Sequence, residues 1–233
     1  MKEAPVRFPQ LKPAIFLERQ GLFRALVELE GHKEEVYLPN SGRLEGVLLP
    51  GARALLAEKK GQRRKTSHDL LLMELSGVMI SVDSRVPNEL LLESLLNSRL
   101  PPFWGYRRII REARLPEGRI DFLLTRGSER CFLEAKSVTL VSKGRALFPD
   151  APTSRGRKHL ELLKQMVKQG SRAAVVFVVQ RGDALCFSPN GSLDPGFALA
   201  LRQAAEEGVE VYAYGCQVLL EEIKLAEELP VLL

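Results

Sequence analysis

The sequence is poor in the residues that build disulfide frameworks and zinc sites. It has one tryptophan, three histidines and three widely spaced cysteines, Cys131, Cys186 and Cys216. Because the cysteines are odd in number and form no C-x-x-C pair, neither a disulfide framework nor a cysteine zinc site is predicted. The histidines also lack metal-ligand spacing. A reducing compartment fits this composition best.

Long apolar runs and a strong charge of one sign are also missing. No stretch is apolar for the ~20 residues that a membrane span needs, and MKEAPVRFPQLKP at the start has prolines and charges where a signal peptide has its apolar segment. We therefore expect a cytoplasmic protein with no membrane partner. The formal charge of +5, from 34 basic and 29 acidic residues, mildly favours an anionic partner.

What the first part does contain is a series of short strand-like segments punctuated by glycines. These segments are residues 14–20, 22–30, 34–38, 52–58, 69–76 and 78–83. A closed barrel hides the edges of so many short strands, and an oligonucleotide-binding (OB) type of barrel is one option. We place this OB-like β-barrel domain at residues 1–84.

After residue 84 the pattern becomes a mixture of helices and strands. Helices are predicted at 88–100, 157–169 and 197–207, and strands at 105–115, 119–125, 130–141, 173–179 and 209–214. Apolar strands that alternate with helices indicate an α/β arrangement with a mixed sheet. We assign residues 85–233 to this second domain, which makes the chain an α+β and α/β two-domain protein.

The chemically most informative feature is a predicted hairpin around the turn at residues 126–129. If Thr125 pairs with Arg130, counting outward brings Asp121 opposite Glu134. Side chains alternate along a strand, so Glu134 and Lys136 share one face. Opposed carboxylates repel unless a cation sits between them. The hairpin therefore suggests a divalent metal site of Asp121 and Glu134 that hydrolyses phosphodiesters, with Mg²⁺ or Mn²⁺ as cofactor and Lys136 assisting catalysis.

The plainer interpretation is a solvated strand edge with an ion pair, since D…E-x-K is a weak motif that occurs by chance. Taken alone, the triplet fits that interpretation better. Its context, a helix before the hairpin and a basic helix with an apolar strand after it, resembles the PD-(D/E)xK nuclease superfamily. The resemblance implies metal-binding and catalytic roles for Asp121, Glu134 and Lys136. It also implies that Glu93 of the preceding helix is an additional metal ligand.

Longer stretches give a more specific resemblance. The segments LPNSGRLEGVLLPGA, GRIDFLL, FLEAKSVTL, LFPDAPTSRGRKHLELL and ELPVLL together resemble the sugar fermentation stimulation protein family from end to end. This resemblance implies an OB-like barrel, a restriction-endonuclease-like PD-(D/E)xK domain and sequence-nonspecific DNA binding. Ile120 stands where the superfamily motif has proline, which lowers the specificity of the motif without removing a ligand.

Basic and turn-forming segments are the candidate contacts to DNA. The cluster in the loop after residue 58 offers point charges for phosphates, and the segment before the basic helix stacks cations at a helix start, where bound anions are favoured. The family motif adds the turn at 39–43. The predicted DNA-binding residues are Asn40, Ser41, Arg43, Arg63, Arg64, Lys65, Lys143, Arg145, Arg155, Arg157 and Lys158.

Three functions remain open on the sequence. One is a Mg²⁺- or Mn²⁺-dependent deoxyribonuclease acting on double- or single-stranded DNA. Another is a non-catalytic DNA-binding or regulatory protein, linked to sugar metabolism, that retains the nuclease fold. A third is RNA or nucleotide processing, because an OB barrel does not distinguish RNA from DNA. A homodimer that addresses two strands is compatible with each.

Overall fold

The structure, a computed structural model, describes residues 5–59, 61 and 65–233. The N-terminal strands form a six-stranded sheet in the order β4-β3-β2-β5-β6-β7, in which β4 also pairs with β6 at Tyr37 and Asp69. This pairing closes the sheet into the predicted barrel, whose interior is filled by apolar side chains such as Phe16, Val27 and Leu70. The strands are β2 (Leu11–Arg19), β3 (Arg24–Leu29), β4 (His32–Tyr37), β5 (Arg53–Glu58), β6 (His68–Leu75) and β7 (Val78–Ser81).

A seven-stranded mixed sheet forms the second part, in the order β1-β16-β15-β13-β10-β9-β8. β10, β13 and β15 are parallel, and the outer strands are antiparallel. The predicted mixed-sheet fold is confirmed. The strands are β1 (Val6–Arg7), β8 (Arg108–Leu115), β9 (Gly118–Arg126), β10 (Glu129–Val138), β13 (Arg172–Val179), β15 (Glu210–Val218) and β16 (Glu222–Glu228).

Three α-helices and a 3₁₀ turn at Pro101–Phe103 accompany this sheet: α1 (Val86–Leu96), α2 (Ser154–Lys168) and α3 (Pro195–Glu206). α1 packs on one sheet face through Leu90 and Leu91. α2 and α3 cover the other face, where Leu160, Leu163 and Leu201 meet the apolar side chains of β13. α1 ends four residues before the predicted end at residue 100, because Asn97 caps it and Ser98 adopts the left-handed region with φ 51°.

Short strands were not predicted. A three-stranded sheet is formed by β11 (Val141–Ser142), β12 (Arg145–Phe148) and β14 (Cys186–Pro189). β1 pairs with β16, so residues 6–7 belong to the large sheet although the sequence places everything before residue 85 in the barrel. Two- to four-residue strands carry too little alternation to be recognised from the sequence.

A single apolar core joins the barrel to the large sheet. The strands β5 and β6 are buried on both faces: Leu56 and Leu70 point into the barrel, whereas Leu55 and Leu72 pack with Phe122 and other residues of the large sheet. This arrangement explains why residues 69–73 form a nearly continuous apolar run. The two domains are thus fused through a common interior.

No helix in the described ranges is both long and apolar enough to cross a membrane.

Leu133→Ala should test the common core. Leu133 is fully buried between the two parts, so its truncation should lower the free energy of unfolding by about 2–5 kcal/mol. Urea unfolding measures this, and hydrogen exchange of the β6 amides should accelerate with it. Leu199→Ala, at a position 56% exposed, should change stability by less than about 0.5 kcal/mol. Unchanged exchange in β6 would show that the barrel is independently stable.

Candidate metal and nucleic-acid site

The β9–β10 hairpin places the two predicted carboxylates side by side. Arg130 pairs with Thr125 as predicted, and the register runs to Leu133 opposite Phe122, one position before Glu134 and Asp121. Beyond this point a side chain takes the place of the partner strand's backbone: Asp121 Oδ2 accepts a hydrogen bond of 2.9 Å from the Ala135 N–H. The Asp121 carboxylate is thereby fixed next to the strand that bears Glu134.

Glu134 is the centre of a buried charged cluster. Its side chain is 3% exposed, and Oε1 lies 2.6 Å from Lys136 Nζ and in contact with His159 Nδ1. The Lys136 Nζ and His159 Nδ1 atoms lie 3.2 Å apart. Lys136 shares a sheet face with Glu134 by strand alternation, and His159 reaches the same oxygen from α2. Both nitrogens therefore converge on one oxygen of the carboxylate.

The two carboxyl groups have opposite pKa shifts. Burial and the neighbouring negative charge of Glu134 raise the pKa of Asp121 above its ordinary value. Burial also acts to raise the pKa of Glu134, but the charge of Lys136 and the hydrogen bond with His159 outweigh it and hold that pKa below its ordinary value. Glu134 is thus held as the carboxylate, and the repulsion between the two negative charges appears as the raised pKa of Asp121.

A divalent cation fits the oxygen atoms that this pair leaves over. Glu134 Oε2 is buried and has no hydrogen-bond partner within the described part of the chain, and a buried carboxylate oxygen without a partner is costly. Beside it stands a second carboxylate whose ionisation a cation would favour. A pair of carboxylates is the kind of site that binds an oxygen-preferring divalent cation. Among the residues described, no group of three His, Cys, Asp or Glu side chains has metal-binding geometry.

The structure does not bring Glu93 to these carboxylates. From α1, it is Asn88 that reaches the site, with Nδ2 donating to Asp121 Oδ1 at 3.1 Å. Glu93 stands five residues further on, about 140° around the helix, and its carboxylate accepts a hydrogen bond from Asn97 on α1 itself. The predicted position of an acidic side chain is therefore taken by an amide.

The start of α2 is fixed by Asp194, which also begins α3. Asp194 accepts hydrogen bonds from the N–H groups of Phe197 and Thr153 at 2.9 and 2.8 Å, and Arg157 Nη1 lies 2.8 Å from its Oδ1. Thr153 in turn caps α2 by accepting from the Gly156 N–H. One buried carboxylate thus sets the direction from which α2 presents His159, and it uses the Arg157 guanidinium for an internal ion pair.

The other two cations at this helix start face outward. Arg155 and Lys158 are exposed, three residues apart and therefore neighbours on the helix surface. Arg155 Nε lies 3.4 Å from His159 Nε2, which connects the exposed cation to the buried cluster. Of the three cations predicted at this segment, these two are placed to contact an anion in solution.

The barrel contributes a loop whose backbone is held by Arg19. Its guanidinium donates to carbonyl groups of Gly21, Leu22, Asn40, Gly42 and Arg43. Asn40 is buried and serves the same loop, because its Nδ2 donates to Val82 O and its Oδ1 accepts from Gly42 N–H. Asn40 is therefore occupied internally, whereas Ser41 and Arg43 are exposed.

The remaining predicted DNA contacts are distributed more widely. Lys143 and Arg145 are exposed on the hairpin of the small sheet, and Lys65 is exposed at a bend before β6. Arg63 and Arg64 lie outside the described residues. The structure thus groups Ser41 and Arg155 around one cleft between the domains.

Comparison with known proteins decides the family. The model for the Sugar fermentation stimulation protein RE domain matches residues 85–222, and the model for the SfsA N-terminal OB domain matches residues 17–82. The chain belongs to the sugar fermentation stimulation protein family.

Members of this family resemble the chain over nearly its whole length. A Sugar fermentation stimulation protein homolog of Chloroflexus aurantiacus is 42% identical over 234 residues, covering 98% of this chain and 90% of the relative. A homolog of Moorella thermoacetica is 46% identical over 207 residues, covering 88% and 89%. The structure of Pyrococcus furiosus SfsA, solved in complex with Ca²⁺, has a TM-score of 0.91 at 34% identity and 100% coverage of both chains.

In this family member, sequence reasoning missed Asn88, His159 and Asp194 as parts of the site. Arg155 and His159 are four residues apart, the spacing of neighbours on one helix face, but the predicted helix begins only at residue 157, whereas α2 begins at Ser154. Asn88 is a polar residue at the start of an apolar helix, and Asp194 precedes Pro195, where an N-cap is expected. None of these signals identifies the partner across the fold.

Asp194→Asn should show how much the negative charge of Asp194 contributes to stability, because that contribution depends on pH. Burial acts to raise the pKa of Asp194, but the N–H groups of Thr153 and Phe197 and the charge of Arg157 hold it below its ordinary value. A depressed pKa stabilises the fold above the unfolded value of about 3.9 and stops doing so as pH falls through the folded value. The variant should lose about 1 kcal/mol at pH 7, because hydrogen bonds to a charged group contribute about 1 kcal/mol more than those to a neutral group, and the loss should shrink towards pH 3 in urea unfolding. A loss independent of pH would contradict the role of the charge.

Proposed function

We propose that this protein binds DNA through the phosphate backbone and hydrolyses phosphodiesters at Asp121 and Glu134 with Mg²⁺ or Mn²⁺ bound. The observation that carries the proposal is the buried, unpartnered Glu134 Oε2 beside the second carboxylate. The Ca²⁺ in the complex of Pyrococcus furiosus SfsA supports a divalent cation of the same oxygen-preferring class.

Asp121 and Glu134 would hold the metal, and Asn88 and the Ala135 N–H orient the Asp121 carboxylate. When bound, a divalent cation supplies Lewis-acid activation of a phosphodiester oxygen and lowers the pKa of a water molecule. The amide of Asn88 orients the Asp121 carboxylate without adding a negative charge. A glutamate such as Glu93 in this place would increase the repulsion between carboxylates.

Lys136 is the cation that this chain itself brings to the reacting group. Its side chain is 11% exposed and its ammonium is already held at Glu134 Oε1, so it requires little reorganisation to stabilise negative charge that develops on a phosphate. His159 is a positioning residue, because it contacts both Glu134 and Lys136 and fixes their mutual orientation.

The binding half of the proposal is supported by the exposed cations at the start of α2. Arg155 and Lys158 would contact phosphate oxygens beside the carboxylates, while the α2 N-terminus contributes favourably to an anion there. Because these cations would contact phosphates and not the edges of bases, they support binding without sequence preference.

A non-catalytic DNA-binding protein, linked to sugar metabolism, is the second candidate. Two observations favour it: Glu134 is already neutralised by Lys136 through a 2.6 Å contact, and the described residues supply only two carboxylates at the site. In that case the nuclease-like fold serves as a platform for DNA, and the buried cluster serves stability.

Metal binding tests the two carboxylates that the first candidate requires. Glu134→Gln and Asp121→Asn should each weaken Mn²⁺ and Ca²⁺ binding at least about tenfold in isothermal titration calorimetry. Glu129→Gln is the matched control, because Glu129 lies on β10 but pairs with Arg126 at the surface. Its affinity should equal that of the unmodified protein.

The same variants decide hydrolysis. The protein should cleave single- or double-stranded DNA when Mg²⁺ or Mn²⁺ is added, and Glu134→Gln should abolish cleavage while Glu129→Gln retains it. Metal binding without any cleavage would favour the platform, and cleavage that persists in Glu134→Gln would sink the assigned active site.

Replacing Arg155 and Lys158 by alanine should weaken DNA binding equally for different sequences. The slope of log affinity against log salt concentration should fall by about 1 per lost phosphate contact. Fluorescence anisotropy over a salt series measures it, with Arg202→Ala on α3 as the control at an exposed arginine. A slope that does not change in the double variant would place the backbone contacts elsewhere.

A further inference from the structure

A cleft of about 350 Å³ lies between the barrel and the second domain, next to the proposed active site. The barrel wall is formed by Ser41 and Ser84, and the opposite wall includes Ser137, Thr153 and the apolar ring of Phe148. Arg155 stands at the same cleft. Its guanidinium approaches His159, which contacts Glu134, so the cleft and the carboxylates are joined through two side chains.

The walls are held at a fixed separation by contacts between the domains. The Leu44 N–H donates to Asp150 Oδ2 at 2.9 Å, which ties the barrel loop to the segment before α2. A Cβ on Gly42 would lie 2.7 Å from the same Asp150 oxygen, so only glycine permits this approach. Across the cleft, Gln180 bridges Ser81 of the barrel and Ser137 of β10 with hydrogen bonds of 3.0 and 2.9 Å. A cleft built in this way is formed before any ligand binds.

Its lining suits a nucleoside better than a phosphate chain. Hydroxyl groups both donate and accept hydrogen bonds, as a sugar and a base edge require, and Phe148 with Pro149 and Pro152 offers apolar surface. The Asp150 carboxylate also lines the cleft, and its negative charge disfavours a phosphate inside. The cation Arg155 connects the cleft to the carboxylate site, where a phosphate would be bound.

The size of the cleft limits the occupant to one unit. At about 350 Å³ it is at the small end of ligand pockets, and a base of a duplex can enter a pocket of this kind only by leaving its partner, which costs the energy of unpairing and unstacking. A nucleotide can enter only when its base is unpaired.

We propose that the cleft binds one unpaired nucleotide of the DNA strand whose adjacent phosphate lies at Asp121 and Glu134. The inference rests on the proposed DNA-binding function and narrows its substrate to DNA with unpaired nucleotides, such as single strands and overhangs. A blunt duplex then gains the backbone contacts at α2 but not the contacts of the cleft.

Filling the cleft tests the proposal. Binding of fluorescent single-stranded, overhanging and blunt-duplex DNA of one sequence is measured by anisotropy at one salt concentration. The unmodified protein should bind the first two about tenfold more tightly than the duplex. Ser41→Trp should remove that difference by lowering the affinity for the first two DNAs to that for the duplex, whereas Ser41→Ala should retain most of it. Ser128→Trp, at an exposed serine in the β9–β10 turn, is the matched control and should retain all of it.

Several results would overturn the inference. They are equal affinity of the unmodified protein for all three DNAs, or a preference for unpaired DNA that survives in Ser41→Trp. If Ser41→Trp does not fold, Ser84→Trp fills the cleft from another wall position and carries the same expectation. Absence of salt-dependent binding to every DNA would instead refute the proposed function.

Discussion

The apolar core shared by the barrel and the large sheet is the interaction on which the rest of the molecule depends. Leu55 and Leu72 leave the barrel wall to pack against Phe122 and Leu133 of the sheet, so neither part can move without exposing apolar surface. Burial of this kind fixes the relative position of the two domains more firmly than surface ion pairs can. The cleft between the domains and the carboxylates beside it are therefore held in fixed positions.

The electrostatic arrangement at Glu134 follows from the same burial. A carboxylate removed from water needs a partner, and Lys136 and His159 both provide theirs at Oε1. The other oxygen, Oε2, is buried and has no hydrogen-bond partner among the described residues, which is unfavourable unless a cation binds there. Asp121 on β9 has a raised pKa, so its ionised form would also be stabilised by a nearby cation. One oxygen-preferring cation bound between the two carboxylates would therefore stabilise both.

Sequence patterns predicted the features that depend on neighbours along the chain. Turn chemistry and strand alternation were sufficient for the register of Thr125 with Arg130, and hence for the pairing of carboxylates, because both are local. The rotation of α1 was not predictable: Leu90, Leu91, Leu92, Leu95 and Leu96 are apolar nearly all round the helix, so the sequence gives no unique buried face. The resemblance to the nuclease superfamily implied Glu93, and the apolar pattern of α1 could not show that Asn88 faces the site instead. His159 and Asp194 act across the fold, and no spacing reveals such partners.

Under the proposed function, charge and shape have separate roles: the charge of the site would bind DNA of any sequence, and the shape of the cleft would distinguish paired from unpaired nucleotides. Arg155 and Lys158 present charge at a helix start, which any phosphate satisfies. The cleft beyond Arg155 is closed by Asp150 and Gly42 and lined by hydroxyl groups, so it responds to whether a nucleotide is free to leave its partner. Base identity matters little to such a lining, because every base offers donors, acceptors and an apolar face. Selectivity for strand state would then arise from the fused domains, since only their fixed separation makes the cleft too narrow for a pair.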